Sequence, residues 1–173
     1  MEIRYAKRGE LREAAALVID SWRWAYKDII DAEYLASFSL DKRHERFVKG
    51  YDEGRRSLLL FGEAGELLGF CGFGKSLTPG YPDDGEISAI YLREDAVGKG
   101  CGHALLVRAE EELRAQGYRN LVLDVLSENK RAIAFYLAHG YVKVADRKHS
   151  WGDREYPLDI MRKVETHGNA SPG

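Results

Sequence analysis

Residues 86–113 read Glu-Ile-Ser-Ala-Ile-Tyr-Leu-Arg-Glu-Asp-Ala-Val-Gly-Lys-Gly-Cys-Gly-His-Ala-Leu-Leu-Val-Arg-Ala-Glu-Glu-Glu-Leu. The run Ile87–Leu92 is apolar and β-rich, while from about His103 the positions Leu106, Ala109 and Leu113 recur at helical spacing with charges opposite. The stretch therefore predicts a strand, a glycine loop and a helix in succession. Gly98, Gly100 and Gly102 alternate in that loop, where main-chain amides can take φ > 0 and approach a ligand with no Cβ in the way. With the first unpaired N–H groups of the following helix they make an anion site, and a phosphate is the natural guest. Spacing excludes two phosphate motifs. A P-loop needs Ser or Thr after its Gly-Lys, whereas Lys99 is followed by Gly100; a dinucleotide fingerprint needs a third glycine where His103 stands. On these residues alone, a plain flexible loop is the alternative.

Working outward, Gly117 follows the helix as a C-cap residue, and Leu121–Leu126 is a near-continuous apolar run of the kind that suits a strand covered on both faces. The two strands and the helix between them predict a right-handed β-α-β unit. Asn129 then stands as N-cap of a second helix that carries Ala132, Ile133, Tyr136 and Leu137 and ends at Gly140. Tyr141–Ala145 and Glu155–Met161 read as two strands joined at Trp151-Gly152-Asp153. Pro157 cannot donate to a ladder, so the last strand is expected to have a free side there.

On the N-terminal side, Ile3 and Tyr5 alternate with polar neighbours in a short strand. From Glu10, Leu11, Ala14, Val18, Trp22 and Ala25 share a helical face. Residues 33–38 and 41–51 read as two short helices. Leu58–Phe61 and Leu67–Phe73 form an antiparallel hairpin across the four residues Gly62-Glu63-Ala64-Gly65, and 78–85 is a Pro/Gly loop leading into Glu86.

With 173 residues, 45% of them hydrophobic and 31% charged, the chain fits one ordinary globular domain, read as 1–164 with a flexible tail over 165–173. A net charge of −2 and a pI near 6.2 argue against a nucleic-acid surface. Two cysteines are too few for a disulfide framework or a zinc site, which points to a reducing, cytoplasmic compartment. No apolar run reaches about 18 residues, so no membrane partner is expected. The five histidines show no metal spacing, and no metal is expected.

The glycine loop resembles the acetyl-coenzyme A motif of the GNAT superfamily of N-acetyltransferases, Arg/Gln-x-x-Gly-x-Gly/Ala, with Gly100 and Gly102 as its glycines and Val97 in place of Arg or Gln. Asn129-Lys-Arg-Ala132-Ile133-Ala-Phe135-Tyr136-Leu-Ala-His-Gly140-Tyr141 is similar to the second signature, Asn-x-x-Ala-x-x-Phe-Tyr-x-x-x-Gly-Phe. The resemblance covers roughly 3–162. It implies an α/β (α+β) fold with a mixed central sheet of about seven strands and helices on both faces. It also implies an acetyl-coenzyme A-dependent N-acetyltransferase acting on a primary amine of a small molecule or polypeptide. The alternative is a non-catalytic acyl-coenzyme A-binding or sensor module. Homodimerisation is left open.

The residues that match the family's cofactor site are Ile90, Tyr91 and Leu92, whose main chain would supply an oxyanion N–H and pair with the pantetheine arm. Val97, Gly98, Lys99, Gly100, Cys101, Gly102, His103 and Asn129 join them. Tyr136 is expected to protonate the leaving thiolate, against a reading as core aromatic. Glu86 is expected as base or as anchor for the amine, against an exposed strand-end charge. Cys101 has no His and acid placed to activate it as a nucleophile. For the acceptor, Trp22, Tyr26, Tyr81 and Glu86 are expected to form the wall, against plain packing. Asp28, Asp31, Asp83 and Asp84 make that neighbourhood acidic, which suits a cationic amine.

Overall fold

The computed structural model describes residues 1–166. The tail expected over 165–173 falls largely outside these residues, and so does His167. The elements follow the order β1 (Glu2–Tyr5), α1 (Leu11–Ala25), α2 (Ala32–Ala36), α3 (Leu40–Asp52), β2 (Ser57–Phe61), β3 (Leu67–Lys75), β4 (Gly85–Leu92), α4 (Cys101–Ala115), β5 (Leu121–Leu126), α5 (Lys130–Ala138), β6 (Val142–Trp151) and β7 (Arg154–Lys163). All seven strands form one sheet in the order β1-β2-β3-β4-β5-β7-β6. It is mixed: only β4 and β5 run parallel, joined through α4, and every other neighbouring pair is antiparallel.

The alternation of each strand divides the core into two layers. Leu59, Phe61 and Phe70 pack under α1 with Leu11, Ala14, Val18 and Trp22. Leu58, Leu60, Cys71 and Ile87 pack on the other face against Leu105, Leu106, Ala109 and Leu113 of α4. Burial leaves the Cys71 thiol well above its ordinary pKa, as befits an inert core residue.

Two irregularities shape the middle of the sheet. Gly72 pairs with Ala89 but Phe73 pairs with Ile87, so Ser88 is an extra residue that bulges from β4. Gly72 opposite that bulge leaves room for Ser88, since a Cβ there would stand 2.7 Å from Ser88 Oγ and force that hydroxyl to move. The parallel pairing of β4 and β5 extends over only Gly85↔Leu121 and Glu86↔Val122, although both strands continue.

β6 and β7 are longer than their apolar runs suggest, because they pair with each other out to Trp151↔Arg154 beyond the end of β5. β7 is an interior strand, yet Pro157 fits. Its carbonyl accepts from Ser127 N–H at 3.0 Å, so its ring nitrogen faces the β5 side, just past the last β5–β7 pair at Leu126↔Leu158.

At the sheet edge, Arg4 of β1 donates two hydrogen bonds to Glu10, at 2.7 and 2.9 Å, and Lys7 N–H donates a third at 2.8 Å. The Arg4 guanidinium above all holds the Glu10 carboxyl down at about 2, against an ordinary 4.5. A depressed carboxyl stabilises the fold above its unfolded pKa and loses that contribution as pH falls through the folded one. Glu10→Gln is therefore expected to cost about 1–2 kcal/mol at pH 7. Urea unfolding should show the gap to wild type closing between about pH 4.5 and 2.

Candidate active site

Beyond Glu86 and Val122, β4 and β5 part, and a cleft of about 790 Å³ opens at their C-terminal ends. This is where ligands bind in open sheets with parallel neighbours. Residues 87–92 of β4 line one side and Asp124, Val125 and Leu126 of β5 the other. Ser21, Trp22, Trp24, Ala25 and Tyr26 of α1 cover it, and α5 supplies Ala132, Phe135, Tyr136 and His139. Ser21 Oγ donates to the Leu92 carbonyl at 2.7 Å, which pins α1 over the open end of β4.

The glycine loop forms the far end. Gly98 and Gly100 have φ of 76° and 82°, the left-handed region, and Gly100 is the N-cap of α4. The first N–H groups of α4 have no carbonyl partner within the helix. Val97, Gly98, Gly100, Gly102 and His103 line the cleft together with Ile90, Tyr91, Leu92 and Asn129. Two expected members do not. Cys101 is buried in the α4 core layer, and Lys99 is exposed outside the lining.

Asn129 caps α5, accepting from Ala132 N–H at 3.2 Å, and at the same time lines the cleft. His139 Nδ1 lies 2.7 Å from the Phe135 carbonyl, which can only accept, so that nitrogen carries a proton. His139 Nε2 then meets His103 Nδ1 at 2.8 Å, tying α5 to the start of α4.

Tyr136 faces the cleft one turn into α5. Its ring packs edge-on against Phe135 and Tyr141, with centroids 5.2 and 5.9 Å apart. Burial pushes its hydroxyl well above the usual phenol range, so it stays protonated at neutral pH. Tyr26 and Tyr91 are raised for the same first cause.

At the acceptor end, Trp22 is the hub of an aromatic box. Tyr26, Phe38 and Trp151 each stand nearly perpendicular to it, at 4.9, 5.4 and 5.5 Å. Trp22 and Tyr26 line the cleft. Glu86 and Tyr81 do not. Glu86 sits at the closed end, paired with Val122, and its carboxylate accepts from Leu77 N–H at 3.0 Å and from the Thr78 hydroxyl. Tyr81 lies over the buried Arg162–Asp84 ion pair, with the guanidinium 5.3 Å from its ring. Neither lines the cleft. A parallel pair opens at its C-terminal end, whereas these residues belong to the N-terminal one.

The cleft's own carboxylate is Asp124, a residue hidden in the apolar run of β5. It pairs with Arg147 of β6. The signal was the lone charge inside an otherwise apolar strand, which requires a partner or a function. The four aspartates read from the sequence as an acidic neighbourhood lie outside the cleft lining. Asp84 is bound by Arg162 and Asp31 by Arg154, while Asp28 and Asp83 are exposed and outside the lining.

Comparison with known proteins agrees with this geometry. A family model described as "Acetyltransferase (GNAT) family" matches residues 17–141. An uncharacterised N-acetyltransferase of Bacillus subtilis, YuaI, is 35% identical over 150 residues, 83% of this chain and 82% of that protein. A spermidine N(1)-acetyltransferase of Thermoplasma acidophilum is 25% identical over 153 residues, 84% of this chain and 90% of the relative. Among solved structures, a ribosomal-protein-alanine N-acetyltransferase of Brucella melitensis superposes with a TM-score of 0.74 at 24% identity, covering 95% of this chain and 99% of that one. A PaiA N-acetyltransferase of T. acidophilum, solved in complex with coenzyme A, gives 0.69 at 23% identity with the same coverage. The fold expected from the sequence, a mixed sheet of seven strands with helices on both faces, is the one observed and the one these structures share. The parted parallel strands, the glycine loop at their mouth and the matched family model place this chain in the GNAT family of N-acetyltransferases, as an acetyl-transferring enzyme.

Proposed function

We propose that the protein transfers the acetyl group of acetyl-coenzyme A directly to a primary amine of a small molecule or polypeptide, with no covalent enzyme intermediate. The observation that carries this is the parting of β4 and β5. It leaves Ile90, Tyr91 and Leu92, which pair with β3 on one side, without a strand on the β5 side, beside a glycine loop suited to a diphosphate. Nothing stands within 4 Å of where a Cβ on Gly98 or Gly100 would project, so the space a diphosphate needs is clear. No cysteine lines the cleft, in keeping with direct attack.

In this reading the C–N bond forms as the C–S bond breaks. The amine loses one proton and the departing sulfur gains one. A β4 main-chain N–H steadies the developing negative charge on the carbonyl oxygen, and Tyr136, held in its acid form, supplies the proton to sulfur. Asp124 takes the place first given to Glu86, because it is the carboxylate on the cleft wall. Glu86 instead braces the turn at Leu77 and Thr78.

Release of free thiol from acetyl-coenzyme A with a panel of amines tests the activity; acetyl-coenzyme A binding without thiol release for any amine would sink it. The assignment of the base has its own test in two pH profiles of kcat/KM. Asp124→Asn is expected to lower it roughly 10- to 100-fold at pH 7, recovering as pH rises and the amine deprotonates without help. Glu86→Gln should run parallel to wild type. The reverse pattern would restore Glu86.

A further inference from the structure

The cleft wall carries buried indole N–H groups, which can only donate, beside phenols, which each bring a proton of their own. The indoles of Trp22 and Trp24 and the phenols of Tyr26, Tyr91 and Tyr136 all line it. Trp24 Nε1 is buried with no partner, and Trp22 Nε1, in a residue only 8% exposed, has no more than the Tyr91 hydroxyl beside it, outside good hydrogen-bond geometry. The Tyr91 hydroxyl lies close enough to Trp22 and Tyr26 for each to act on its ionisation. Donors that lean on one another still leave a proton without an acceptor. Asp124, the carboxylate in this wall, is held by Arg147. An unmet buried donor costs about 1–3 kcal/mol, and native structures normally account for each one.

A cation stands behind the same wall. Arg43 of α3 is half-buried, its guanidinium 6.0 Å from the Trp22 ring and 5.3 Å from the Phe38 ring. Among the described residues it forms no ion pair, in contrast to Arg147, Arg154 and Arg162. The charged group nearest in influence is Arg46, which repels it; the others are the phenols of Tyr91 and Tyr34. Loss of hydration already makes its charge harder to keep, which lowers its pKa. A partly desolvated cation without an anion, next to donors without acceptors, is the complement of a bound oxyanion.

We propose that the acceptor is an aminocarboxylate, whose carboxylate faces Trp22 and Tyr91 in the field of Arg43 and whose amine points toward Asp124 and Tyr136. This rests on the acetyl-transfer reading and narrows it. Aromatic rings and donor groups bind the anionic end, while the acid on β5 attracts the amine, so the two ends of the substrate are told apart by opposite charges on one cleft.

The test uses matched acceptors, an amino acid beside its methyl ester and its decarboxylated amine, in the thiol-release assay. Wild type is expected to favour the free acid by tenfold or more in kcat/KM. Arg43→Gln should reduce that preference at least tenfold through KM of the acid, Arg43→Lys should retain part of it, and calorimetry should give the same acetyl-coenzyme A affinity in all three. Equal use of acid and ester by wild type, a measurement that needs no variant, overturns the inference while leaving the acetyl transfer intact. So does a loss in Arg43→Gln that is equal for acid and ester, which marks Arg43 as structural. Binding of acetyl-coenzyme A with no amine acetylated overturns both readings.

Discussion

Gly100→Val should abolish acetyl-coenzyme A binding, with calorimetry flat at concentrations where wild type saturates and circular dichroism unchanged. Gly100 holds a φ of 82° as the N-cap of α4. A β-branched residue is a genuine outlier there, costing roughly 1–3 kcal/mol of local strain that the loop can shed only by moving its amides. The projecting side chain would also fill the open space beside Gly100, where no protein atom lies within 4 Å of a Cβ. The damage thus falls on ligand space rather than on packing, which is why the fold should survive. Wild-type affinity in a folded variant would end the assignment of the loop to the diphosphate.

Tyr136→Phe should lower kcat by roughly 10²–10⁴-fold with KM for acetyl-coenzyme A nearly unchanged. The change is clean because the ring remains to pack against Phe135 and Tyr141. Thermal stability should accordingly match wild type. Since burial raises the hydroxyl's pKa, its acid form persists across the neutral range, and no alkaline loss of wild-type activity near the ordinary phenol value should trace to it. A variant with undiminished kcat would return Tyr136 to the packing of α5.

Much of this architecture was legible because it depends on local chemistry. The alternating glycines impose a backbone conformation that only they adopt readily, and Gly100 duly carries positive φ at the start of α4. Asn129 caps a helix because its side chain can reach the amide three residues on, as it does at Ala132. The apolar run of β5 signals a strand covered on both faces, and it does supply both core layers, Leu126 under α1 and Leu121, Leu123 and Val125 against α4.

Glu86 shows where such reading stops. It is a carboxylate at the start of the central strand, next to a loop, and nothing in its neighbours in sequence says that β4 and β5 stay paired there and part only later. Asp124 is the converse: in sequence it is a blemish in an apolar strand, and only the register against β7 and the reach of Arg147 from β6 put it on the cleft wall. The acids near the acceptor end gave the same lesson, because each ion pair that neutralises them joins segments far apart in the chain, Asp84 to Arg162 and Asp31 to Arg154.

By itself, then, the sequence determined the element types, the glycine loop, the cap of α5 and the family, since propensity, periodicity and motif spacing act over a few residues. The tertiary structure alone decided which carboxylate meets the cleft, that Arg43 forms no ion pair among the described residues, and that Trp22 and Tyr136 both line the cleft. Those depend on where paired strands diverge and on side chains brought together from different elements, as when Arg147 of β6 reaches Asp124 of β5, and no local rule of hydrophobic pattern or backbone preference encodes them.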